Sequence, residues 1–372
     1  MKKILIVSTV SRQFYLFEQS NIKALRALNF EVHGAANFED RSERLKEVNV
    51  IEHHIDIQRS PFSLKNIKAI KQLEQLVKKE KFDVIHCHAP VGGVLGRLVG
   101  KKFPNCKVIY TAHGFHFFRG APLKNWLLFY PIEKFLSKYT DHLITINNED
   151  YKLAKEKFNM KNLHHINGIG VDLAKFQAIM KEDKYNLRQS IGFSRTDKIL
   201  IYVGELSYRK NQTVLINAME TVVKQFPEVK LLIVGKGILM EEYRQLIKEK
   251  NMTDTVKLLG FRNDIPELMQ ISDLAVSSSK QEGLPVNLME AMATGLPLIV
   301  SNCRGNRDLA IDNQNGYIIG DLNNSDEFAS KIMKLIENDK LMSEFSSNSL
   351  DLVNQCSQEF IISNMKKIYG DI

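Results

Sequence analysis

Ten apolar runs of strand length, 1–10, 31–36, 82–86, 107–111, 142–147, 199–203, 231–235, 256–260, 274–278 and 298–301, alternate with amphipathic helical stretches, and this alternation limits the fold more than any other feature. Residues 14–28 carry Leu16, Ile22, Leu25 and Leu28 at helical spacing, and 61–79 carry Leu64, Ile67, Ile70, Leu73 and Val77. Residues 214–223, 286–293 and the tail 326–368 also read as helical. Hairpin signals are few, so the strands are joined through helices. The expected fold class is therefore α/β, with parallel sheets covered on both faces. Ligands of such sheets bind beyond the carboxyl ends of the strands.

The pattern lapses between about residues 167 and 194, where INGIGVDLAKF runs into a charged piece. This places a linker and predicts a first domain over 1–170 and a second over 171–350. The chain's 372 residues leave each room for its own core. No run of 18 apolar residues occurs, and MKKILIVSTV reads as a first strand rather than a signal peptide. Cys87, Cys106, Cys303 and Cys356 show no paired spacing and are expected to be reduced thiols of a cytosolic protein.

The net charge of +8 divides into +11 for residues 1–170 and −3 for the remainder, and residues 59–138 alone hold 15 basic against 4 acidic residues. Such a half predicts contact with something anionic, a membrane surface, a lipid pyrophosphate or a nucleic acid, or else forms a set of solvated helix faces. Within this window FHFFRGAPLKNWLLFYPI, 115–132, mixes aromatic and aliphatic residues with Arg119 and Lys124. It reads either as an interfacial segment in the headgroup layer or as a buried core helix. HCHAPVGGVLGR, 86–97, offers Gly92, Gly93 and Gly96 either for close approach to a ligand or for helix packing. His113, with a glycine beside it at the end of a strand, is the leading site candidate of the first domain, whereas His116 can equally sit against its phenylalanine neighbours.

In the second domain QEGLPVNLMEAMATGLP, 281–297, sets Glu282 and Glu290 around a Gly-Leu-Pro turn. Pro285 fits a first helical position, and Gly295 followed by Pro297 supplies a stop. Free N–H groups at the helix start are expected to make a site for a phosphate or diphosphate, with Gly283, Leu284 and Val286 beside it. Glu290, set among Leu288, Met289, Ala291 and Met292, is either an ordinary glutamate on a half-exposed helix face or a buried carboxylate that needs hydrogen-bond donors such as sugar or ribose hydroxyls. Gly204 ends a strand, and Arg209 and Lys210 in the following loop either suit a diphosphate or are plain solvated surface cations.

The stretch 281–297 together with its approach DIPELMQISDLAVSSS, 264–279, resembles the E-x7-E signature of glycosyltransferase family 4, retaining nucleotide-sugar enzymes of GT-B architecture. The resemblance is strongest over 204–320, and 86–147 is similar to the capsule and exopolysaccharide transferases of bacteria. It implies two Rossmann-like domains facing across a cleft, the first for acceptor and the second for nucleotide sugar, with 351–372 as a C-terminal helix returning to the first. It also implies His113 and Glu282 on the donor sugar, Arg209 and Lys210 on the leaving diphosphate, Glu290 on the ribose, and Arg262 beside the nucleobase, where a plain loop arginine is the other reading. Glu205 stands where the family usually has arginine, which leaves Arg209 for the phosphates. The loop SRQFYL lacks the paired glycines often found there.

The implied function is retaining transfer of a hexose or N-acetylhexosamine from a nucleoside-diphosphate sugar, by family preference UDP-linked, to a lipid-linked saccharide in cell-surface or exopolysaccharide synthesis. No cofactor is expected and no metal, because Asp-x-Asp is absent and cations can neutralise the diphosphate. The expected location is cytoplasmic, peripheral on the inner face of the cell membrane through 59–138, with other polysaccharide-synthesis proteins as further partners. Two alternatives share these residues: a sugar-nucleotide epimerase of the same fold, and a non-catalytic nucleotide-sugar-binding scaffold subunit. Nucleic acid is not an expected partner, since no module for it appears.

Overall fold

A computed structural model describes residues 1–372. The chain forms two compact units, Met1–Gly170 joined by Gln358–Ile372, and Val171–Ser357. The first holds a seven-stranded sheet of β1 (Lys3–Val10), β2 (Glu31–Asn37), β3 (Ile51–His54), β4 (Val84–His88), β5 (Lys107–Ala112), β6 (His142–Thr145) and β7 (Asn162–His165), in the order β3-β2-β1-β4-β5-β6-β7. All neighbouring strands are parallel. The second holds β8 (Lys198–Val203), β9 (Val229–Val234), β10 (Val256–Gly260), β11 (Leu274–Ser277), β12 (Leu298–Ser301) and β13 (Gly316–Ile319), in the parallel order β10-β9-β8-β11-β12-β13. The strand order reverses at β1 and at β8, and a crevice opens at the carboxyl ends of such switch points.

The central strands are buried on both faces because every residue of their middle is apolar or paired. Leu5, Ile6, Leu200 and Ile201 are almost fully enclosed. The Pro90–Gly100 helix lies unusually close to β4 and β5, which decides the role of its glycines. A Cβ on Gly93 would stand 2.5 Å from the Tyr110 ring, on Gly96 2.6 Å from Cys87 Cβ, and on Gly100 2.3 Å from Val108. Helix packing, not a phosphate loop, requires them.

Three expectations change in position. The single helix over 14–28 is broken into Arg12–Phe17 and Gln19–Ala27, and Glu18 at the break is fully buried. The tail is also divided, into Ser325–Ile336, Asp339–Val353, a 3₁₀ turn at Asn354–Cys356 and Gln358–Gly370. The return to the first unit comes at Gln358 rather than at residue 351, because Val353 and Cys356 are still buried in the second unit. There Gln358–Gly370 lies along Gln19–Ala27, and Tyr369 Oη meets His86 Nδ1 at 2.8 Å.

The segment 115–132 has one side in the core and one side open to solvent. Phe115 and Phe117 belong to the core, with the half-buried Trp126, Phe129 and Tyr130 packed on it. The opposite side of the Leu123–Ser137 helix leaves Leu123 and Leu127 70% or more exposed, with Ile132 and Phe135 also open to solvent. Glu133 turns inward to Arg97 at 2.8 Å, and the Arg97 guanidinium stacks 3.9 Å over Tyr110. No helix is long and apolar enough to cross a membrane.

Candidate active site

In the second unit the residues of interest gather at the carboxyl ends of β8 and β11. Lys210 Nζ donates to Glu282 Oε1 at 2.5 Å, and Arg209 Nη1 reaches Glu282 Oε2 at 3.4 Å and the Gln281 carbonyl at 2.8 Å. The side chains of Lys210 and Glu282 are only 12% and 9% exposed, whereas that of Arg209 is 43% exposed. The cations and the acidic residue named from sequence are thus one cluster. Ser278 Oγ fixes the Lys210 carbonyl and Lys280 N–H the Arg209 carbonyl, which ties the two loops together.

Backbone closeness builds the rest. Gly235 stands at φ +145, and a Cβ there would meet the Gly204 carbonyl at 1.9 Å. Gly305, at φ +80, would likewise strike the Gly283 carbonyl at 2.4 Å. The Val286–Ala293 helix follows, with Pro285 as its cap in extended conformation rather than its first helical residue. Asn287 Nδ2 anchors this helix to the Val203 carbonyl beside Gly204. Its stop is a Schellman turn: Leu296 N–H reaches the Ala291 carbonyl and Gly295 N–H that of Met292, with Gly295 at φ +75. Leu284 is buried and Val286 half-buried at the helix start.

Glu290 is half-buried and its carboxylate makes no ion pair or hydrogen bond within the chain. Burial pushes it up to about 7, with Lys175 opposing this weakly. Arg262 behaves differently. It is engaged by Asp264 through Nε to Oδ1 at 2.7 Å and a second bond to Oδ2, so the pair competes with any stacking on a base.

In the first unit His113 follows β5, as expected. Its Nε2 turns to His88 Nδ1 at 3.2 Å and Gln13 Nε2 at 3.4 Å, which leaves Nδ1 for a ligand hydroxyl. Burial and the neighbouring His88 hold the ring down at about 4. His88 itself is fully buried, held at about 3, and contacts Glu18 Oε1 at 3.0 Å. Ala89, Gly114, His116, Phe117 and Phe129 complete with His113 a cavity of about 100 Å³. A larger polar cavity of about 220 Å³ lies beyond β1 and β2, lined by Thr9, Asn37, Glu39, Asp40, Gln58 and Arg59. Ser11, from the loop without paired glycines, caps Asp40 there at 2.8 Å.

Sequence reading missed Glu18, His88 and Arg304. Glu18 sits where an uninterrupted helix was expected, and His88 was hidden in a segment read only for its glycines. Arg304 is buried and donates to the Glu282 carbonyl at 3.0 Å. The only available signal for it was its place in the loop CRGNRDL.

Two family models match, "Glycosyl transferase 4-like" over residues 3–147 and "Glycosyl transferases group 1" over 183–351. A protein of Bacillus subtilis named as a glycosyltransferase, EpsD, is 38% identical over 99% of this chain and 96% of its own. The chain belongs to glycosyltransferase family 4. The UDP-Gal:alpha-D-GlcNAc-diphosphoundecaprenol alpha-1,3-galactosyltransferase of Escherichia coli is 32% identical to this transferase over 83% of the chain and 80% of its own length. Among solved structures, HepE of Anabaena, in complex with UDP and glucose, matches at a TM-score of 0.81 and 19% identity over the full length of both chains. Sucrose-phosphate synthase of Thermosynechococcus elongatus matches at 0.80 and 18%, covering 100% of this chain and 99% of its own. These likenesses establish the GT-B fold.

Proposed function

We propose that this glycosyltransferase moves a hexose or N-acetylhexosamine, with retention, from a UDP-sugar to a lipid-linked saccharide used in cell-surface polysaccharide synthesis. The observation that carries the donor side is the junction of Arg209, Lys210 and Glu282 at the start of the Val286–Ala293 helix, with the unpartnered Glu290 on its second turn. The helix N–H groups and the two cations stabilise charge as the diphosphate departs, without a metal. Lys210 is already held by Glu282, so the cluster is preorganised. Glu282 also has the acceptor oxygens that a sugar hydroxyl needs, while Glu290 receives the ribose hydroxyls.

The acceptor side is supported by the galactosyltransferase relative, whose named substrate is a sugar diphosphoundecaprenol, and by the first unit's surface. The polar cavity near Asp40 and Arg59 has room for one sugar ring. The exposed Leu123, Leu127 and Phe135 beside Lys124 and Lys134 supply apolar and electrostatic attraction to an anionic membrane, which brings the enzyme to a lipid substrate from the cytoplasmic side. The test is transfer from radiolabelled UDP-sugars to a polyprenyl-diphosphate saccharide, with product anomer read by NMR. Conversion of the sugar nucleotide without acceptor would favour the epimerase, and nucleotide binding without any turnover the scaffold.

A further inference from the structure

Glu18 at the helix break, His88 at the end of β4 and His113 after β5 come from three separate elements. Yet one ligand atom from each of Glu18, His88 and His113 lies within 4.8 Å of the other two. His88 Nδ1 is 3.0 Å from the carboxylate oxygen and 3.2 Å from the other ring nitrogen. Hydrogen bonding accounts for this arrangement only by sharing. A ring nitrogen carries one proton or one lone pair, so a single His88 Nδ1–H would have to be divided between Glu18 Oε1 and His113 Nε2. The remaining neighbour of His113 Nε2 is Gln13 Nε2 at 3.4 Å, a long contact.

Charge leads to the same point. Glu18 is fully buried, and the group against it is His88, a neutral ring, rather than any lysine or arginine. A buried carboxylate without a cation is costly. A dipositive ion at the common centre would use all three lone pairs and neutralise the carboxylate. Ligands about 2.0–2.1 Å from zinc stand roughly 3.3 Å apart along a tetrahedral edge, close to the two separations seen.

We propose that Glu18, His88 and His113 form a binding site for a divalent transition-metal ion of the zinc class, separate from the residues assigned to the diphosphate. Two imidazoles and one carboxylate suit zinc, cobalt or ferrous iron, whereas magnesium and calcium favour all-oxygen sets. Asn21 Nδ2 holds Glu18 Oε2 at 2.6 Å and Gln13 Nε2 holds Oε1 at 2.9 Å, fixing the carboxylate as outer partners of metal ligands do. Three protein ligands leave a fourth position for water or another oxygen, and His113 borders the cavity through which it would enter. The other histidine pairs lack this convergence. His33 uses Nδ1 for His53 and Nε2 for Glu31, so its partners lie on opposite sides of the ring. His142 and His164 meet only each other, at 3.0 Å.

The full-length protein, stripped with a chelator and desalted, is titrated with Co²⁺ and followed by visible absorption and thermal unfolding. The expected result is one saturable equivalent with a d–d band, displaced by Zn²⁺, and a rise in Tm on loading. Affinity should fall at least about tenfold in both Glu18→Gln and His113→Ala. Unfolding curves without metal show whether each variant folds; His113 is the less buried, so His113→Ala decides the test if Glu18→Gln is unstable. Absence of a saturable band, or binding unchanged in His113→Ala, overturns the proposal and makes the three side chains a hydrogen-bonded support for the His113 ring.

Discussion

Glu290, proposed for the ribose, makes the second unit sensitive to pH. Its folded-state value of about 7 lies above the ordinary 4.5, so between these values the folded chain keeps a proton that the unfolded chain has released. Its contribution to stability is therefore full below pH 4.5 and is lost as pH rises through 7. Glu290→Gln should gain Tm relative to wild type between pH 5 and pH 8, and a constant difference would contradict the assignment. Ribose hydroxyls favour the ionised form, so UDP binding to the wild type should release a proton and tighten from pH 6 to pH 8. Lys210→Ala, removing a cation from the diphosphate site, should lower kcat roughly 10²–10³-fold. It should also cost about 1–3 kcal/mol in denaturant unfolding, since Glu282 is left nearly buried with only the more exposed Arg209. At this scale the second unit was legible: its glutamates and cations lie in two short segments whose chemistry is explicit. Glu18 and His88 were not, because their meaning arises only when a helix break and two strand ends converge.

The Leu123–Ser137 helix has a core-facing side and a solvent-facing side. Composition could not separate its core-facing aromatic side from its solvent-facing aliphatic side, since Pro131 and Glu133 interrupt a simple pattern. Replacing Leu123, Leu127 and Phe135 together with serine should cut co-sedimentation with anionic liposomes severalfold while leaving Tm within a few degrees; retained binding would place membrane contact elsewhere. Gly96→Val tests the neighbouring helix. Its side chain would enter the space held by Cys87 and Ile85, and a loss of about 1–3 kcal/mol in denaturant unfolding is expected. Among strands, β3, β7 and β13 escaped sequence reading. IEHH and NLHH are edge strands with polar, partly exposed residues, and GYII, also at a sheet edge, has only three apolar residues between Gly316 and Gly320, so none carries the apolar run that marked the central strands.

For the whole molecule, the strand–helix alternation was sufficient to set two parallel α/β units, because buried parallel strands must be apolar on both faces. The crossing back at Gln358 was harder to place, since four consecutive helical pieces share one amphipathic pattern and only packing shows which unit each one joins. The central claim is that the second unit binds a uridine diphosphate through Arg209, Lys210, Glu282 and Glu290 without a metal. Calorimetric titration of the full-length protein with UDP, GDP and ADP in the presence of EDTA tests it most directly. Saturable binding selective for UDP, weakened at least about tenfold in Glu290→Ala, is the predicted result. UDP affinity that is absent in EDTA, or equal in wild type and Glu290→Ala, would contradict it.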